Sequence, residues 1–171
     1  MESDIPEFGT KRENEERRDG GCGVVFDPEA RRYAVNRLTA DGLLGLPSGG
    51  VDAGEDIQAG VLREVTEETG LDDFLYVEKI AEALTHYRNI LKDVNRVAHA
   101  TCFLVVLKST HRAPVRHEAH EKFTLAWATP DEIAANWRER NGNHDHDHWF
   151  WFFEKAVARA RELGYDQERP A

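Results

Sequence analysis

The residues able to do chemistry are gathered between Leu46 and Leu71, in LPSGGVDAGEDIQAGVLREVTEETGL. This stretch reads as a glycine-rich turn (Pro47, Ser48, Gly49, Gly50), then a helix carrying Arg63, Glu64, Glu67 and Glu68, then a stop at Gly70. Residues three and four apart share a helix face, so Glu64, Glu67 and Glu68 project together. Three like charges in one patch repel, and a solvated helix gains nothing by gathering them. A hard divalent cation resolves the conflict, because Mg²⁺ takes oxygen ligands and commonly works beside substrate phosphates. The glycines let a metal or a phosphate approach the main chain. Ile57, Val61, Leu62 and Val65 supply an apolar stripe that lays the helix on a sheet with its acidic edge at the rim. Glu55 and Asp56 open the helix, where negative charge suits the dipole, and capping accounts for Asp56.

The stretch resembles the signature of the Nudix hydrolases: Gly, five residues, Glu, seven residues, then Arg-Glu-aliphatic-x-Glu-Glu-x-Gly-aliphatic. Gly49, Glu55, Arg63, Glu64, Val65, Glu67, Glu68, Gly70 and Leu71 occupy those positions with every spacing kept. The resemblance implies hydrolysis of a pyrophosphate linkage in a nucleoside diphosphate linked to another group. It implies that Glu64, Glu67, Glu68 and the Ser48 carbonyl hold Mg²⁺, with Mn²⁺ as the alternative. Many members have glycine where this chain has Ser48, but the carbonyl is unchanged. Glu55 is expected to support the metal site and Arg63 to orient the glutamates. Gly49 and Gly50 would lie against the substrate. A tyrosine sixteen to eighteen residues beyond the box is associated in the family with dinucleoside polyphosphates, and Tyr87 lies sixteen after Leu71. Its ring either stacks on a base or packs over the sheet edge. A further carboxylate often precedes the strand bearing a tryptophan, here Leu125 to Ala128. Glu121 is the first candidate and Glu118 the second, as ligand, as base for water, or as a solvated loop residue.

Cys22–Asp27 reads as a buried strand and Arg32–Leu38 as a half-buried one, joined as a hairpin. Arg37 at its end is a solvated charge or faces the substrate phosphates. Phe74–Leu84 is predicted as a strand, Thr85–Asn89 as a polar loop, and Val97–Leu107 as the central strand, with His99 a core histidine. Thr129 to Glu132 carries helix-start signals. The run from Asn141 to His148 alternates histidine with acidic residues, which suits no compact ligand set. It reads as a loop and helix start before an amphipathic helix over 149–164. Pattern and resemblance agree on an α+β architecture, the Nudix α/β/α sandwich with a mixed β-sheet between helices. Residues 1–20 are expected as a mobile arm, 21–165 as a single domain and 166–171 as a tail.

With 171 residues the chain suffices for one domain. Its net charge of −10 argues against adhesion to nucleic acid or anionic membrane. No helix-turn-helix or basic segment reads DNA, no apolar run spans a bilayer, and the N-terminus lacks a signal peptide's apolar segment. Cys22 and Cys102 read as buried free thiols, which fits a cytoplasmic location. The expected partner is a small-molecule nucleotide. Dimers are common in the family, which makes a homodimer a candidate assembly. Three functions follow: a hydrolase of dinucleoside polyphosphates, a Nudix pyrophosphohydrolase for nucleoside triphosphates, nucleotide sugars or RNA 5′ ends, and a nucleotide-sensing domain without turnover.

Overall fold

Glu7–Phe8 (β1) and Glu16–Arg17 (β2) precede two longer strands, Gly20–Asp27 (β3) and Arg32–Leu38 (β4). Leu44–Gly45 (β5) and Ser48–Gly50 (β6) lead into the helix Ile57–Thr69 (α1). Phe74–Asn89 (β7), Val94–Leu107 (β8) and Phe123–Ala128 (β9) follow, and Pro130–Arg138 (α2) and Asp147–Glu162 (α3) complete the chain. The computed structural model describes residues 4–115, 122–139 and 145–167.

The sheet runs β1-β7-β8-β3-β4-β5, with β2 added to β8, β6 to β3 and β9 to β4. It is mixed: β3 lies parallel to β8, whereas β7 and β8 form a long antiparallel hairpin. The central strands β3 and β8 are apolar on both faces because helices cover both. On one face Val25, Phe103 and Val105 pack with Val61 and Val65 of α1. On the other, Val24, Phe26, Leu104 and Val106 pack with Ile133 of α2 and Phe152, Phe153 and Ala156 of α3. The expected sandwich is thus present. Cys22 and Cys102 are buried free thiols at paired positions of β3 and β8.

Both helices next to the sequence's start signals are capped as read. Asp56 accepts a hydrogen bond from the Ala59 N–H at 3.0 Å, and Gly70 (φ 80°) closes α1. Thr129 caps α2 through the Glu132 N–H.

Three elements depart from expectation. The N-terminal stretch read as an arm adds two short parallel strands, β1 on β7 and β2 on β8. Local propensity does not produce two-residue strands; side-chain anchors hold them. His86, buried in β7, bonds Glu15 through Nδ1 at 2.7 Å and Glu7 through Nε2 at 2.6 Å. Next, β7 continues through Thr85–Asn89, the segment expected to loop, and β8 begins at Val94, so the two strands stay paired as far as Asn89 and Val94. His99 is half-buried rather than in the core and bonds Glu82 at 3.0 Å. Finally, Asp166, assigned to the tail, is buried, accepting the Tyr33 hydroxyl at 3.1 Å and Arg31 at 3.3 Å.

Candidate active site

The acidic face of α1 is built from the helix outward. Glu68 is buried at the end of the apolar stripe. A carboxylate taken out of water needs hydrogen-bond donors, and two are present: Asn36 Nδ2 on β4 donates to Oε2 at 2.7 Å, and the Ser48 N–H approaches both oxygens at 3.3 and 3.4 Å. One turn earlier Glu64 lies against the turn before the helix. A Cβ built on Gly49 would stand 2.2 Å from the Glu64 carboxyl carbon, so this approach requires glycine. Glu67 is the most exposed of the three, with 54% of its side chain in solvent.

Arg63 ties the patch together. Its Nε and Nη2 donate to the two oxygens of Glu55 at 2.8 and 2.9 Å, a bidentate pair. Nη1 reaches Glu64 at 3.0 Å and Glu67 at 3.1 Å. The Arg63 hydrogen bonds hold the Glu55 carboxyl down to about 2, and the same bonds, that to Glu55 foremost, raise the pKa of the guanidinium. Glu55 therefore acts on the site through Arg63.

These residues form one wall of a cleft of about 690 Å³, within the range of small-molecule sites. Its floor is the end of the sheet. Gly20 and Cys22 of β3 and Ala98 and Ala100 of β8 leave room, while Thr85 and Tyr87 of β7 rise beside them. The start of α3 supplies another wall: Asp145, His146, His148, Trp149 and Phe152. His146 stacks on Trp149 at 4.1 Å. His148 is buried, and burial, followed by the nearby His146, pushes its pKa down to about 3. It is therefore a neutral ring, with Nδ1 3.2 Å from the Thr85 hydroxyl oxygen. Arg18, Lys92 and Arg96 line the same cleft.

Of the residues singled out from sequence, Ser48, Gly49, Gly50, Arg63, Glu64, Glu67, Glu68 and Tyr87 meet in this cleft. Arg37 does not. It is exposed at the end of β4, which is separated from the cleft by β3 and pairs with β5 and β9. Glu118 and Glu121 lie outside the described residues, as does His144. Among the described residues no three His, Cys, Asp or Glu side chains meet as a ready ligand set. In the box, Arg63 binds Glu64 and Glu67 while Asn36 binds Glu68.

Sequence reading missed Asn36, Arg18, Arg96 and the start of α3. For Arg96 a signal existed: Thr85, Tyr87 and Asn89 alternate, as do Arg96, Ala98 and Ala100, which is the strand period of two.

A family model described as NUDIX domain matches residues 16–152, most of the chain. The chain belongs to the Nudix family. It is accordingly a hydrolase acting on phosphorus-containing anhydrides. A MutT-like protein of Streptomyces ambofaciens is 27% identical over 118 residues, 69% of this chain and 68% of that protein. An RNA pyrophosphohydrolase of Wolbachia pipientis is 31% identical over 71 residues, 42% of this chain and 43% of its own length. The fold resembles that of a C. elegans Ap4A hydrolase, with a TM-score of 0.60 and 15% identity, covering 85% of this chain and 98% of that one. No helix among the described residues is long and apolar enough to cross a membrane.

Proposed function

We propose that this Nudix protein is a Mg²⁺-dependent pyrophosphohydrolase of nucleoside polyphosphates, with a dinucleoside polyphosphate as the leading substrate. The observation that carries this reading is the shared cleft: the box carboxylates and Tyr87 line one cavity large enough for a nucleotide.

The donor set fits a hard cation. Glu64, Glu67 and Glu68 offer carboxylate oxygens against a single guanidinium, and the missing Cβ of Gly49 lets the Glu64 carboxyl group lie against the turn whose carbonyls are further oxygen donors. Glu64, Glu67, Glu68 and the Ser48 carbonyl would hold the ion, with Mn²⁺ as the alternative. The ion would lower the pKa of water and neutralise charge developing on the anhydride. The chain's own contribution is positional. Asn36 and the Ser48 N–H fix Glu68, and Arg63 fixes Glu64 and Glu67. One glutamate, of the box or Glu121, accepts a proton from the attacking water. Tyr87 offers a ring face to a base, a contact that tolerates any base.

The test is a phosphate-release screen with Mg²⁺ and then Mn²⁺. It compares diadenosine tetraphosphate, nucleoside triphosphates, ADP-ribose, a nucleotide sugar and a 5′-triphosphorylated RNA. Preferential cleavage of the dinucleotide is expected. Preference for another member keeps the reaction and discards the leading substrate. Nucleotide binding with no cleavage of any member would support a sensing domain.

A further inference from the structure

The N-terminal segment brings a guanidinium into the cleft. Arg18 follows β2, and its backbone is fixed on both sides. The Arg18 N–H donates to the Val97 carbonyl at 3.0 Å, and the Val51 N–H donates to the Asp19 carbonyl at 3.0 Å. The Asp19 carboxylate receives the His99 N–H at 2.9 Å and Arg17 Nε at 3.0 Å. From this anchored backbone the Arg18 side chain lies across Gly50. A Cβ built on Gly50 would stand 2.5 to 2.7 Å from its Nε, Cζ and Nη2, so the turn beside the box is shaped to admit this guanidinium.

Arg96 approaches from the floor. It pairs with Tyr87 across the β7–β8 ladder, and only 13% of its side chain is exposed. Glu16 of β2 braces it at 3.0 Å, so one short strand presents Arg18 and steadies Arg96. Both guanidiniums act on the Tyr87 hydroxyl: burial raises its pKa, and Arg96 and then Arg18 oppose that rise. Their acidic partners are rim residues. Glu16 is 65% exposed, and Asp52, 3.6 Å from Arg18, is 71% exposed. The Arg18–Asp52 pair, exposed on both sides, is weak and yields readily to a better anion. A phosphate is such an anion, because its oxygens match the guanidinium fork.

We propose that Arg18 and Arg96 form an anion subsite for a phosphate beyond the cleaved anhydride, so that the cleft selects chains of three or more phosphates over diphosphates. The proposal rests on the nucleotide pyrophosphohydrolase reading and names its specificity. The subsite joins the box turn to Tyr87, the path that a polyphosphate takes between carboxylates and a stacked base.

Arg18→Gln, Arg18→Lys and Arg18→Gln/Arg96→Gln are compared with the wild type in steady-state kinetics on ADP-ribose, ATP and diadenosine tetraphosphate. Binding of inorganic tripolyphosphate and pyrophosphate is measured separately by calorimetry. Arg18→Gln is expected to raise KM for the tetraphosphate roughly 10-fold and the double variant roughly 100-fold. The accompanying loss in kcat/KM should be at least tenfold greater for the tetraphosphate than for ADP-ribose. Arg18→Lys should fall between wild type and Arg18→Gln, and tripolyphosphate binding should weaken about tenfold more than pyrophosphate binding. Equal losses on all three substrates, or none, would overturn the subsite while leaving the hydrolase reading intact. No hydrolysis by the wild type, with tripolyphosphate binding still dependent on Arg18, would keep the subsite and remove the reading.

Discussion

At the scale of single residues, the site depends on how each carboxylate is held. Glu68 is buried, and Asn36 and the Ser48 N–H donate to its carboxyl group. Asn36→Ala removes the shorter contact and leaves the carboxylate under-solvated. Loss of such a supporting partner costs about 10–100-fold in metal affinity or activity, so the variant should need more Mg²⁺ for half-maximal rate. An unchanged Mg²⁺ titration would show that Asn36 has no part in the site. Tyr87→Ala should raise KM for a base-containing substrate more than it lowers kcat; a fall in kcat at constant KM would sink the stacking role. The box residues were legible because their logic is local, one helix face and one turn. Asn36 was not legible, since nothing local in RYAVNRL shows that β4 passes under the end of α1.

At the scale of elements, the N-terminal strands act as a strap. Burial alone would favour a neutral His86, but its hydrogen bonds to the Glu7 and Glu15 carboxylates outweigh it and raise the ring's pKa above the ordinary 6.5. A raised pKa means that the strap's stabilisation is fully present below the ordinary value and is lost as pH rises through the raised one. Amide protection factors of Glu7–Phe8 and Glu16–Arg17 should therefore fall over that rise. His86→Gln should be weakly protected at every pH. Protection independent of pH in the wild type would contradict the strap. β2 escaped sequence reading because KRENEERR shows neither alternation nor apolar anchors, and β1 because it is two residues long, with Phe8 its one apolar contact to the core. Their register comes from a histidine far along the chain. The start of α3 was hidden for a related reason: packing of Phe152 and Phe153, not the pattern in Asp145 to His148, brings it to the cleft.

At the scale of the whole molecule, the sheet divides labour between its faces. The α1 face carries the smaller hydrophobic cluster and the acidic patch, the face covered by α2 and α3 carries the larger cluster, and the acidic patch and the start of α3 meet at the cleft. Ile133 of α2 is fully buried and lines no part of that cleft. Ile133→Ala should cost about 2–5 kcal/mol of stability, measured by urea unfolding, with kcat of the folded enzyme unchanged. A large fall in kcat at full folding would show that α2 shapes the site. The α/β/α architecture was legible in the alternation of Arg32–Leu38 and the apolar run ending at Leu107, because strand and helix periods record which faces are buried. The strand ends were not, because Thr85–Asn89 is polar and extends only through pairing with β8.

The most direct measurement is the rate of diadenosine tetraphosphate hydrolysis with Mg²⁺, wild type against Glu68→Gln at equal folded fraction. If the box carboxylates perform the reaction, the variant should be slower by about 100-fold or more with an unchanged circular dichroism spectrum. Equal rates in the two proteins would contradict the assignment of the reaction to this patch.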